Sequence, residues 1–433
     1  MSFLVWCFRD DTTWEPSIKA RTPSLKAGNA PVIPLVLQEN VGGGDRLNPV
    51  IPFFLKPAHT NMDSKALSTS IAKFSAKFCN QLEKTSVVSS PLSAEYLLAL
   101  LALGSEDPAH SELLKSLGLP DDDAVRTSFT SFANKLKSIK GITLNIANKV
   151  YIQEGDYDLS PALKNDAVKV FDAGLEKMDF TDSSAAGLIN KWVESKTNER
   201  IKDLLSPDSL NSDTRLVLVN ALYFKGTWVN QFDPIHTMDQ AFHIDANTTV
   251  DVPMMFIEEE FLYGEDPAIN AQFLQMHYAG EEASMLIVLP REVDGVDDLL
   301  THLADGYDLV GQLDKLHRVK VKVTIPKFKI ETEIDLKSLL PKMGVEAIFD
   351  PHNSGINKLL DNGEMLHVSK AVQKAFIEVN EEGAEAAAAT GMVLMMRCAP
   401  MSSPTFRADR SFSYTIFTSE RAPLFTGVYR GPN

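Results

Sequence analysis

From Leu67 onward the apolar positions fall into a helical rhythm. Leu67, Ile71, Phe74, Phe78 and Leu82 recur at spacings of three and four, which places them on one face of a helix. Asp63 and Ser64 stand where an N-cap belongs. The stretch "SSPLSAEYLLALLALGS" (residues 89–105) is apolar almost throughout, with proline in its first turn, and predicts a buried helix. Residues 142–152, "ITLNIANKVYI", alternate in part and predict a strand. Residues 214–228, "TRLVLVNALYFKGTW", predict a near-continuous apolar strand with one polar interruption, Asn220. Further strands are expected in "ASMLIVLP" and in "VKVKVTIPKFKIETEIDL", where valine alternates with lysine as far as Thr324. Helical stretches dominate the first half and strands the second, which indicates an α+β fold rather than a βαβ repeat.

Residues 1–62 differ from everything after them. They hold seven prolines, a Gly42–Gly44 run and no sustained apolar period, and read as a flexible extension ahead of one folded domain over 63–433. A start at Met62, or a mis-assigned upstream exon, accounts for the extension equally well. The opening "MSFLVWCF" is too short for a signal-peptide core and has no basic leader. The sequon Asn247-Thr248-Thr249 is a candidate glycosylation site only in a secreted product.

Composition adds a large core, with 44% hydrophobic residues, and a formal net charge of −16. That charge excludes nucleic acid and anionic membrane as main partners, and no window is apolar enough to span a bilayer. Three cysteines, Cys7, Cys79 and Cys398, are too few for a disulfide framework and have no metal-ligand spacing. No nucleophile elbow, phosphate loop, dinucleotide fingerprint or zinc-protease motif is present, and the nine histidines are scattered. The acidic runs Asp121–Asp123 and Glu258–Glu260 read as solvated turns. The chain is not expected to be an enzyme, and neither metal nor cofactor is implied.

One stretch stays unexplained by packing alone: "AFIEVNEEGAEAAAATGMVLMMRCAP", residues 375–400. It opens as a strand, with Ala375, Ile377 and Val379 on one side and Glu378 and Asn380 on the other. Gly383 follows as a natural hinge. Counting by twos from Ala384 gives Ala384, Ala386, Ala388 and Thr390, all small, while the intervening set opens with Glu385. A strand built this way slips one small face into a packed sheet. A short alanine helix is the other reading, since alanine is the strongest helix former.

At these residues the sequence resembles the serpins, the serine protease inhibitors. The motifs are "VSKAVQKAFIEVNEEGAEAAAA" (368–389), "LVNALYFKGTW" (218–228), "SSPLS" (89–93), "IPKFKIETEIDLKSLLPKMGV" (325–345) and "PLFTGVYRGP" (423–432). They are most like the insect haemolymph serpins. The resemblance implies three β-sheets, about nine helices and an exposed reactive-centre loop at about 381–405. A protease cuts that loop, is held as an acyl-enzyme, and is carried off as the loop inserts into the large sheet. The hinge would comprise Glu381, Glu382, Gly383, Ala384, Glu385, Ala386, Ala387, Ala388 and Ala389. Family spacing from the hinge glycine, and from "FRADRSF" downstream, puts the reactive bond at Arg397–Cys398. Arginine there implies a trypsin-like serine protease, whose pocket offers a buried carboxylate; Leu394–Met396 leave a chymotrypsin-like cut as a lesser option. Ser90, Ser93, Asn220, Trp228 and Gln373 match the region where the sheet parts, with glutamine where family members often have histidine. The resemblance further implies a monomer working outside the cell, although this N-terminus carries no export signal. Lys135, Lys137 and Lys140 give only weak support to a heparin-type site, and Cys398 beside the cut reads as an ordinary exposed side chain, the alternative being a thiol that makes inhibition redox-sensitive. Bulky or charged hinge residues would instead mark a non-inhibitory serpin serving as carrier, chaperone or storage protein.

Overall fold

The computed structural model describes residues 64–382 and 403–432. Nine α-helices lie among the described residues: α1 (Ser64–Asn80), α2 (Pro91–Leu103), α3 (Ala109–Leu117), α4 (Asp122–Ser138), α5 (Pro161–Lys169), α6 (Ala185–Lys196), α7 (Val296–Ala304), α8 (Leu309–Gln312) and α9 (Leu336–Leu339). The strands of the first two-thirds are β1 (Val87–Ser89), β2 (Ile142–Gln153), β3 (Gly174–Met178), β4 (Leu216–Gly226), β5 (Met238–His243), β6 (Thr249–Asp266), β7 (Ala271–His277) and β8 (Ala283–Pro290). The remainder are β9 (His317–Pro326), β10 (Phe328–Asp335), β11 (Val368–Val379), β12 (Thr405–Arg407), β13 (Phe412–Thr418) and β14 (Pro423–Tyr429).

The strands form two hydrogen-bonded networks. One sheet has the order β10-β11-β4-β2-β3; the other runs β1-β14-β13-β8-β7-β6-β9-β12, with β5 also paired to β6. The larger network holds two of the three expected sheets. They are joined through β6, whose Thr249–Met254 pair with β5 and whose Leu262–Asp266 pair with β7.

The apolar run of β4 now has its reason. Leu216, Leu218, Leu222 and Phe224 face the main core, whereas Val217, Val219 and Ala221 face a second cluster with Ile189 and Val193 of α6. A strand covered on both faces loses the polar alternation of a surface strand. The helix α2 is likewise buried at every position, which explains its unbroken apolar sequence.

Two readings of charge are corrected. Asp121–Asp123 is not a turn: Asp121 caps α4 by accepting from Ala124 N, and Asp122 and Asp123 lie in its first helical turn, where carboxylates meet the positive end of the helix dipole. Glu258–Glu260 lies inside β6, paired with Lys322, Val321 and Lys320 of β9. Opposite charges facing across strands stabilise a ladder, so the acidic run is a strand matched to its basic neighbour.

Candidate functional site

Within the five-stranded sheet β11 and β4 run parallel, while β10 is antiparallel to β11 and β2 antiparallel to β4. The β4–β11 pair is therefore a parallel seam with antiparallel ladders on either side. Gln373 pairs with Asn220 across the seam, and Asn220 pairs with Asn148 on β2. Three amides thus stand in one row on the core face, in the midst of apolar strands. All three are buried, and buried amides persist only when hydrogen-bonded.

The start of α2 supplies the partners. Gln373 Oε1 accepts from Ser90 N at 2.9 Å, and its Nε2 donates to Ser90 O at 2.9 Å and to Asn220 Oδ1 at 2.5 Å. Asn220 Nδ2 donates to Ser93 Oγ at 2.6 Å and also to Asn148 Oδ1. Ser93 Oγ donates in turn to Asn148 Oδ1 at 3.1 Å. Ser90 caps α2, its Oγ accepting from Ser93 N and donating to Leu424 O at 2.6 Å. Proline at the first helical position leaves one fewer N–H to satisfy. The sequence "SSPLS" so builds a cap that also bolts the seam shut. Asn148 was missed from the sequence. Its strand carries two asparagines, Asn145 and Asn148, together with Thr143 and Lys149, so nothing marks it out as Asn220 is marked in β4.

At the end of β11 the chain is held by the segment after β4. Trp228 is buried, stacks on Tyr278 at 4.4 Å, and donates from Nε1 to Asn380 O at 3.0 Å. Trp228 N donates to Glu382 O at 3.2 Å and Phe232 N to Glu381 O at 2.9 Å. Glu381 is anchored by its side chain as well: Thr237 Oγ1 donates to it at 2.9 Å, and Lys327 Nζ lies 2.8 Å from its other oxygen. Burial pushes this carboxyl up, but the hydrogen bonds from Lys327 and Thr237 and the lysine charge outweigh it and hold the group below its ordinary value. Exposed Glu382 contributes only backbone. On the far side, Thr405–Arg407 run parallel to Lys322–Thr324 at the edge of the larger sheet, and Lys322 N donates to Pro404 O at 3.0 Å.

The expected residues therefore divide. Ser90, Ser93, Asn220 and Gln373 come together at the seam, and Trp228, Glu381 and Glu382 at the root of the loop. Gly383, Ala384, Glu385, Ala386, Ala387, Ala388, Ala389, Arg397 and Cys398 lie outside the described residues, as does the extension 1–62. Asn247 is exposed in the turn between β5 and β6, its N–H bound by Asp245 Oδ1. Lys135 and Lys137 are ion-paired with Glu420 and Asp172, so they make no free cationic patch. Among the described residues no cluster is arranged to hold a metal ion, and no helix is long and apolar enough to cross a membrane.

The chain that builds this seam matches known proteins over most of its length. The family model described as Serpin (serine protease inhibitor) matches residues 69–432. The chain belongs to the serpin family. Antichymotrypsin-2 of Bombyx mori is 42% identical over 86% of this chain and 100% of its own length, and antitrypsin of the same moth is 41% identical over 86% and 95%. Among solved structures, Serpin48 of the insect Tenebrio molitor superposes with a TM-score of 0.77 at 32% identity, covering 86% of this chain and all of its own. As a serpin the protein is a serine protease inhibitor and not an enzyme, and its α+β architecture is the serpin fold.

Proposed function

We propose that this serpin is a suicide inhibitor of trypsin-like serine endopeptidases, with Arg397–Cys398 as its reactive bond. The observation that carries the mechanism is the β4–β11 seam with the loop root at its end. A chain that doubles back after Val379 and enters between these strands runs antiparallel to both. One parallel ladder is replaced by two antiparallel ones, which are the more stable pairing. The small set Ala384, Ala386, Ala388 and Thr390 suits the crowded face of such a strand, whereas a bulky residue would cost about 1–3 kcal/mol in overpacking.

In the reaction the protease serine adds to the Arg397 carbonyl, the peptide bond to Cys398 breaks, and the amine of Cys398 leaves with the proton from the serine. Arg397 stays as an ester on the protease. Insertion of the hinge then draws the esterified residue along the sheet, away from the geometry that hydrolysis needs. The two Bombyx mori relatives are named for different proteases at nearly equal identity, so specificity is read from the bond itself. Arginine favours a pocket with a buried carboxylate. The domain spans 63–433, acts as a monomer, and works outside the cell.

The test is to mix the protein with trypsin and resolve the products on a denaturing gel. A covalent band at the summed mass, absent for Arg397→Ala, is expected. Cleavage with no such band would overturn the inhibitory reading and leave a carrier, chaperone or storage serpin.

A further inference from the structure

The chain approaches β11 through a loop, residues 354–366, that is buried at its base and bare at its tip. Leu359, Leu360 and Leu366 are buried. Leu366 N donates to Ile356 O at 2.7 Å, and Ser354 Oγ donates to Leu366 O while accepting from Ile356 N at 3.1 Å. The other arm is tied to the segment before α5. Ser160 N donates to Leu359 O and Asp361 N to Asp158 O, each at 2.9 Å, and Asp158 N returns a bond to Asp361 Oδ1 at 3.0 Å. Both arms are thus fixed, while Asn362, Gly363, Glu364 and Met365 between them are exposed.

The tip carries the one Asn–Gly step in the chain, Asn362–Gly363. An asparagine can close on itself when the next backbone nitrogen attacks its side-chain carbonyl, and glycine leaves that nitrogen unshielded because it has no Cβ. The reacting atoms here are already arranged. The bond from Gly363 N to Leu360 O is 3.5 Å long, so the nucleophile is barely engaged. Asn362 Oδ1 accepts from Glu364 N at 3.0 Å, which sets a donor where negative charge develops as the nitrogen adds. Asn362 Nδ2, the atom that leaves, stands 3.5 Å from Glu364 Oε2. Gly363 has a φ of 70°, and a Cβ there would meet nothing within 4 Å, so the glycine is required by backbone conformation and not by crowding.

We propose that Asn362 is a self-modifying site, deamidating in the folded chain with Glu364 as its helper. Gly363 N bonds to Asn362 Cγ and gives its proton to the Glu364 carboxylate. The Cγ–Nδ2 bond breaks, the carboxylate returns the proton to Nδ2, and ammonia leaves. Water then opens the succinimide at either carbonyl, giving aspartate or isoaspartate at position 362. Both products add one negative charge, and isoaspartate also lengthens the backbone of the turn by one atom. The tip therefore records how long a molecule has been folded, independently of whether it has met a protease.

The full chain is incubated at neutral pH beside a synthetic peptide of residues 357–367. Deamidation is followed by anion exchange and by the mass and isoaspartate content of the proteolytic fragment holding 362–363. The folded chain is expected to deamidate there at least three-fold faster than the peptide, which has the same residues without the fixed arms. Glu364→Gln keeps the bulk and the backbone donor but loses the relay, and is expected to deamidate at least three-fold slower than wild type. Asn362→Gln supplies the blank, and an unchanged first unfolding transition shows that both variants are folded. A wild-type advantage over the peptide of less than three-fold means that the turn does not prime the reaction and overturns the proposal. So does a Glu364→Gln rate less than three-fold below wild type, or a new charge form whose mass change maps to another asparagine.

Discussion

Gln373 makes three hydrogen bonds from one side chain, one as acceptor and two as donor. Gln373→Leu leaves Ser90 N, Ser90 O and Asn220 Oδ1 without these partners in a dry interior. Each orphaned group costs about 1–3 kcal/mol, but the remaining bonds relax around the gap. A loss of about 3 kcal/mol is expected, read as a lower urea midpoint for the first unfolding transition. Leucine leaving the midpoint unchanged would mean that the row contributes nothing to holding the seam. Single residues were where the sequence spoke least evenly. Asn220 was conspicuous as one polar letter in an apolar strand, and "SSPLS" was readable as a helix start. That these would meet Gln373 and Asn148 was not readable, because registry between β2, β4 and β11 is set by folding over more than 200 residues. Asn148 went unnoticed because its strand alternates only in part.

Elements were more legible than contacts. Helix α1 begins at Ser64 and buries Ile71, Phe74 and Phe78, as spacing alone indicates, and β11 buries Ala375, Ile377 and Val379 on its core side. The stretch from Val319 to Leu336 was read only as strands. The structure breaks it at Lys327 into β9 and β10, which belong to different sheets, and nothing in a Val–Lys alternation announces that change of partner.

The loop root is one element whose behaviour depends on pH. His277 accepts Val229 N on its backbone oxygen. Burial pulls its imidazole below the ordinary 6.5, with Glu281 pulling it up and Arg318 down. The folded protein thus binds this proton less readily than the unfolded chain, and stability falls as pH drops below about 6.5. Glu381, also held low, contributes stability that is present above about 4.5 and lost on further acidification. The first unfolding transition is expected to move down between pH 7 and 5, less so in His277→Gln. It should fall again below pH 4.5, less so in Glu381→Gln. Parallel curves for wild type and both variants would place the titrating groups elsewhere.

At the scale of the whole molecule, the order of strands decides what a cut does. Every residue from Thr405 to Pro432 belongs to the larger sheet or to its turns. Neither of the last two strands is at an edge, for β13 lies between β8 and β14, and β14 between β13 and β1. Phe412, Tyr414, Ile416, Phe425 and Tyr429 are all deeply buried there. Severing the backbone anywhere from 383 to 402 therefore yields two polypeptides and one particle. The small C-terminal fragment should co-elute with the large one from a sizing column in native buffer and part from it only in denaturant. Its escape under native conditions would contradict this strand order. The last thirty residues thus behave as a non-covalent subunit that happens to be synthesised in tandem with its partner, and mixing separately made fragments should rebuild the sheet as two halves of one fold.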